Sequence, residues 1–235
     1  VVRVNTPGGS VFASELIRDA ILRVKEKNIP IVTSMGGVAA SGGYWVAAST
    51  DYIFAEELTI TGSIGVASVI FNAEETFNKI GLNEDGISSS IFSDTYKGVY
   101  TNKPDERVIN LNKIIIQNIY DKFINIVSEG RNLSIEEVNK LAKGQVWTGK
   151  DSIELNLIDE IGSLENAIKK AANLANIESY NVKRIYKRKN RLSNFLPFII
   201  NKFVKQDNFR NKNFEIAHRF EALFSDIKNY NDPKS

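Results

Sequence analysis

Apolar and polar positions along the first third of the chain switch between two periods. Short runs rich in β-branched residues at 1–5, 29–34 and 52–55 predict strands, and the first two are each followed by glycines and then by helical spacing. Phe12, Leu16, Ile17, Ala20, Ile21 and Val24 recur at that spacing, predicting a helix that packs on a core through this face, with Ser10 as its N-cap. Gly36-Gly37 predicts a sharp turn from the second strand into a helix reaching about Ser49. Thr59–Val66 then feeds a further β run ending at Phe71.

Downstream, residues 74–80 predict a short helix stopped by Gly81, and 83–103 a polar loop. Pro104 opens the longest helical pattern, with Val108, Leu111, Ile115, Ile119, Phe123 and Ile126 on one face and Gly130 as the stop. Ser134 and Glu137 form a capping box for a helix to Lys143, and Thr148 caps another short helix. Residues 155–159 turn into a short strand. Leu164, Ala167, Ile168, Ala171, Ala172 and Leu174 make the apolar face of a last helix. This order predicts an α/β fold of repeated ββα units with additional C-terminal helices.

At 235 residues, 43% hydrophobic and 25% charged, the composition is that of a globular protein. The absence of cysteine excludes disulfides, thiolate catalysis and cysteine-based metal sites. A single histidine, His218, excludes a multi-histidine metal site and argues against a Ser-His arrangement. No apolar run reaches membrane-spanning length, and no signal peptide is visible. The chain opens without Met inside a strand-like run and reads as a domain whose N-terminal portion lies elsewhere.

Charge separates two regions. Residues 1–182 hold 17 basic and 23 acidic residues, a net of −6; residues 183–235 hold 13 basic and 5 acidic, a net of +8. The expected division is a body over 1–180 and a basic, aromatic-rich tail over 181–235. Apolar residues of the tail, Leu192, Phe195, Leu196 and Phe198 among them, are interrupted by Pro197, which favours a contact with another subunit or domain over a long membrane-surface helix. No nucleic-acid-binding motif accompanies the basic charge, so no nucleic-acid partner is expected.

The candidate chemistry centres on residues 35–45, where one serine, Ser41, sits among four glycines and two alanines. Placed in the first turn of a helix behind a glycine turn, with small neighbours leaving room for a second backbone, Ser41 meets the requirements of a nucleophile beside an oxyanion site. The same stretch also suits a small-residue helix packed tightly on a sheet. Pro7-Gly8-Gly9 offers exposed amides at another strand's C-terminal end, the edge where α/β folds bind ligands. Neither GxGxxG nor the P-loop pattern occurs.

Together, the segments 2–10, 34–45, 58–65, 144–150 and 157–162 resemble signal peptide peptidase A (protease IV), in that family's order, over roughly residues 1–175. The resemblance implies a Clp-protease/crotonase-like α/β fold and a serine peptidase that degrades cleaved signal peptides at the bacterial inner membrane, on its periplasmic side. It implies peptide substrates, a homo-oligomer, membrane association through a segment outside this chain, and neither cofactor nor metal. The family's nucleophile falls on Ser41, and its oxyanion donors on the amides of Gly42 and of the Pro-Gly-Gly turn, with Gly9 the choice there.

The family's base is a lysine. Residues 35–45 and 146–149 resemble the C-terminal half of the long, two-repeat form, in which the lysine lies in the other half. In the short form it follows the serine by about fifty residues, where Lys97 in Ser93-Asp94-Thr95-Tyr96-Lys97 is a loose echo. Two other readings stand beside the peptidase: a non-catalytic half that supports assembly, and a crotonase-like hydratase or isomerase. The latter lacks a carboxylate base in a matching motif near either glycine turn.

Overall fold

Strand–turn–helix units of this kind pair their strands in parallel, because a helical crossover returns the chain to the same sheet edge. The computed structural model describes residues 1–70, 72–82, 87, 89 and 105–185. The chain divides into a unit over Val1–Glu178 and a unit over Ser179–Ser235, of which only residues 179–185 are described.

In the first unit β1 (Val2–Thr6) leads through the Pro-Gly-Gly turn to α1 (Val11–Lys25), and β2 (Val32–Ala40) leads to α2 (Gly42–Ala47). There follow β3 (Tyr52–Ala55), β4 (Ile60–Gly62), α3 (Glu74–Lys79), α4 (Glu106–Arg131), α5 (Ile135–Leu141), β5 (Val146–Thr148), α6 (Gly149–Glu154), β6 (Glu160–Ile161) and α7 (Leu164–Leu174). The sheet runs β5-β4-β2-β3-β6, with β1 also paired to β2; the β4–β5 pairing is antiparallel and the others are parallel. The α/β class expected from the sequence holds.

The strand β2 organises this sheet and corrects the sequence reading. It does not turn at Gly36-Gly37 but continues to Ala40, pairing with β3 through Val32–Ser34 and with β4 through Val38–Ala40. Its register with β1 slips between Val4, opposite Met35, and Thr6, opposite Ala39. Gly36 serves close approach at that bend: a Cβ there would lie 2.5 Å from Asn5 Oδ1, which accepts the Val38 N–H at 3.3 Å. Thr59 and Thr61 donate their hydroxyls to the Gly36 and Ala39 carbonyls, and Gly36 lies in the stretch between the paired residues Met35 and Val38. The predicted helix to Ser49 is shorter, ending at Ala47, and the β run toward Phe71 is a strand only over Ile60–Gly62.

The helix α1 starts where Ser10 caps it, its side chain accepting the Ala13 N–H, but its apolar face is not the packed one. Ile21 is buried, whereas Phe12 is 74% exposed, Leu16 52% and Ile17 50%, and Ala20 and Val24 are exposed too. Polar side chains occupy the inner face. Glu15 accepts two hydrogen bonds from Arg18, one from the Trp45 indole at 2.8 Å, and pairs with Lys122 at 2.7 Å.

The long helix α4 buries Val108, Phe123, Ile124, Ile126 and Val127, while Ile115 is exposed. Gly130 is not its stop. The helix runs on to Arg131 and ends at Asn132, which takes the left-handed conformation of a C-cap at φ 52°. Gly130 lies where α4 crosses the end of α2, and an added Cβ would overlap the Ala48 carbonyl oxygen. The capping boxes at Ser134/Glu137 and Thr148/Asp151 are both formed. The main core gathers Val4, Met35, Tyr44, Trp45, Ile64, Phe123, Val127 and Leu157 around α2.

Candidate active site

The chain reverses from β2 into α2 at Ser41 itself, which has φ 52° and ψ −119°. This is a backbone region that a residue bearing a Cβ rarely occupies, and it costs of order 1–3 kcal/mol. Strain of this kind at a strand-to-helix turn pushes a side chain out of the sheet edge. It is held from both sides. The Ser41 N–H donates to the Gly62 carbonyl at 2.9 Å, and the Ser41 carbonyl accepts from Trp45 N at 2.9 Å. Behind it, Gly43 to Ala47 are all buried, with the Tyr44 hydroxyl donating to the Leu157 carbonyl and the Trp45 ring 4.8 Å from that of Phe123.

The Pro-Gly-Gly turn packs directly on this corner. Gly8 and Gly9 have φ 117° and 144°, and Thr6 Oγ1 accepts the Gly8 N–H at 3.2 Å. A Cβ on Gly8 would stand 2.7 Å from Ser41 Cβ, 2.9 Å from Gly42 N and 3.0 Å from Ser41 Oγ. A Cβ on Gly42 would stand 2.5 Å from Ser14 Oγ and 3.4 Å from Gly9 N. The structure thus brings Gly9, Ser41 and Gly42 together. Among the described residues, neither the Gly9 N–H, the Gly42 N–H nor the Ser41 hydroxyl has a hydrogen-bond partner.

Ser41 opens into a pocket of about 390 Å³ walled by Ser63, the stretch 65–67, Tyr120 of α4 and the Lys143-Gly144 turn. Sequence reasoning assigned no role to Ser63, Tyr120 or Lys143. Ser63 lay within the resembled motif, whereas nothing local marked the other two, which arrive from α4 and from the turn before β5. Lys97 and His218 lie outside the described residues.

Electrostatics act one layer back. The Arg18 guanidinium holds the Glu15 carboxyl at about 2 against the penalty of burial, with the Lys122 ammonium and the Trp45 N–H adding to the effect. Glu15 therefore stays ionised and keeps its grip on Trp45, four residues beyond Ser41. Burial pushes the Tyr44 phenol well above its usual range, so it remains a neutral donor to Leu157.

A serine on a strained turn, pressed against a glycine turn with free amides in a curled, mostly parallel sheet, defines the class: an α/β domain with the Clp-protease-like fold. Residues 23–178 match the model of peptidase family S49, and the chain belongs to that family. It is 44% identical over 176 residues to "Protease 4" of Haemophilus influenzae, covering 75% of this chain and 28% of that protein. It is 35% identical over 168 residues to the "Putative signal peptide peptidase SppA" of Enterococcus faecium, covering 72% and 48%. Against "Serine protease SPPA, chloroplastic" of Arabidopsis thaliana it is 36% identical over 178 residues, covering 75% and 26%. The chain thus spans less than a third of the Protease 4 relative, and about half of the Enterococcus one.

Proposed function

We propose that residues 1–180 are the nucleophile-bearing domain of a serine peptidase that degrades cleaved signal peptides. The observation that carries this reading is the strained Ser41, packed against two backbone N–H groups, with its hydroxyl and both N–H groups unpartnered among the described residues. In this mechanism Ser41 Oγ attacks the scissile carbonyl as its proton passes to a lysine amine. The resulting oxyanion is received by the Gly9 and Gly42 N–H groups. Collapse expels the amine product, which takes the proton from the lysine, and water then cleaves the acyl-serine by the same route. Burial lowers a lysine's proton affinity enough for this role near neutral pH.

The base is a lysine carried by polypeptide outside these 235 residues. The larger size of the relatives supports that source, with Lys97 the internal alternative. Substrates are peptides, the working form is a homo-oligomer, and anchoring to the bacterial inner membrane, on its periplasmic side, comes from a segment outside this chain. Among the described residues no helix is long and apolar enough to cross a membrane. The relatives' names, protease and putative signal peptide peptidase, support the substrate class.

The test is labelling by a fluorophosphonate together with hydrolysis of a fluorogenic peptide, with the 235-residue chain joined to the polypeptide that supplies the lysine, as wild type and as Ser41→Ala. Labelling and hydrolysis that both vanish in the variant are expected. Undiminished hydrolysis in Ser41→Ala would overturn the reading. Activity of the 235-residue chain that Lys97→Ala removes would place the base within it.

A further inference from the structure

From the placement of Lys143 in the Ser41 pocket we infer that this site selects peptides by a carboxylate, taken by the Lys143 ammonium. The inference rests on the peptidase reading of the pocket but not on its chemistry. The described walls are otherwise uncharged: two serine hydroxyls, small residues from Gly65 to Ala67, and Tyr120, whose hydroxyl already donates to Asn139 at 3.1 Å. Among the described residues the Lys143 ammonium has no ion-pair or hydrogen-bond partner.

The position of this lysine is built rather than incidental. Lys143 has φ 60°, a left-handed conformation that glycine adopts without penalty and that a lysine does not. Its turn is closed by the Gln145 N–H donating to the Ala142 carbonyl at 3.2 Å, and is fastened to the stretch 63–64 by two backbone bonds: Gly144 N–H to the Ile64 carbonyl at 3.0 Å and Ser63 N–H to the Gln145 carbonyl at 2.7 Å. The turn is also pressed on Gly65, where a Cβ would come within 2.8 Å of Gly144 N. A fixed backbone thus carries a long, flexible cation in the wall of a cavity whose other described lining residues are uncharged. Such a group discriminates between a carboxylate and its amide isostere, because only the former gives a charge-assisted bond. The carboxylate has two possible sources in a peptide, an acidic side chain or a free C-terminus.

The experiment is fluorescence anisotropy with the 235-residue chain as Ser41→Ala, so that no peptide is consumed. The probes are alanine-leucine hexapeptides carrying Glu, Gln or Lys at one central position, each as C-terminal amide and as free acid. The Glu peptide is expected to bind about fivefold tighter than the Gln peptide at low salt, the gain shrinking in high salt. Lys143→Arg should keep that ratio, Lys143→Gln should bring it to one, and Lys143→Glu should favour the Lys peptide. A fivefold gain confined to free acids assigns the site to the substrate's C-terminus. Equal binding of all peptides, binding of none, or a Glu preference that survives Lys143→Gln overturns the inference. Fluorophosphonate labelling of the wild-type chain joined to the polypeptide that supplies the lysine separates the two readings. A labelled Ser41 with no carboxylate preference leaves the peptidase standing alone, whereas Lys143-dependent preference with hydrolysis undiminished in Ser41→Ala leaves only the carboxylate site.

Discussion

The Ser41 N–H donates to the Gly62 carbonyl at 2.9 Å, so the candidate nucleophile is held by the strand beside its own. Gly62 in turn pairs with Val146, and Ser63 with Gln145, which ties the corner to the turn that carries Lys143. The nucleophile and the pocket wall are therefore parts of one hydrogen-bonded frame.

Because Ser41 sits at φ 52°, its stability response should be unusual. Ser41→Ala keeps the Cβ and the strain, and is expected to change stability by less than about 1 kcal/mol. Ser41→Gly relieves the strain and, after its own entropy cost, should be the more stable variant by about 1 kcal/mol. Both should lack hydrolysis. Chemical denaturation that finds Ser41→Gly less stable than Ser41→Ala would contradict a strained corner.

Gly8→Ala should reduce hydrolysis at least about a hundredfold, because the new Cβ meets Ser41 and Gly42 and displaces the reacting groups. Gly37→Ala is the matched control. Its Cβ would meet nothing within 4 Å, so activity and stability should stay near wild type. Equal activity of the two variants, measured as kcat/KM, would argue against the close approach.

Gly130→Ala tests the crossing of α4 over α2. On propensity alone, alanine in a helix interior gains about 1 kcal/mol over glycine. Here the Cβ would overlap the Ala48 carbonyl, and overpacking against backbone should win, with a net loss of about 3 kcal/mol or more. Thermal denaturation showing Gly130→Ala at or above wild type would refute this.

The Glu15 carboxyl has its proton affinity lowered from 4.5 to about 2, so the stability it contributes is complete above about pH 4.5 and is lost as pH falls toward 2. Wild type should therefore exceed Glu15→Gln in stability at pH 6, and the gap should narrow through that window. A gap that is constant from pH 6 to pH 2 would show that the charge of Glu15 contributes nothing.

What was legible in the sequence follows physical range. Caps are local, and Ser10, Ser134 and Thr148 could be read directly because donor and acceptor lie within three residues. The helical period of α1 was equally legible, but not the direction of its apolar face, which the Glu15–Trp45 contact decides across 30 residues. Glycine carries the same ambiguity. Gly9 bends the chain, Gly36 and Gly130 admit another part of the molecule, Gly8 does both, and only the partner tells the uses apart. At the site, Ser41 and the Pro-Gly-Gly turn could be singled out from their small neighbours. Lys143 and Tyr120 come from distant elements with no local mark.

The donors placed beside Ser41 belong to the main chain, which has a consequence for how such a site can decay. Ordinary drift among side chains cannot delete a backbone N–H; short of a proline, it can only move or obstruct it. A relative that has lost its chemistry while keeping the serine would therefore betray itself by gaining a β-carbon at the positions of Gly8 or Gly42, where this chain leaves no room for one. Two hydrogens, at Gly8 and at Gly42, are thus as informative about competence as the hydroxyl between them.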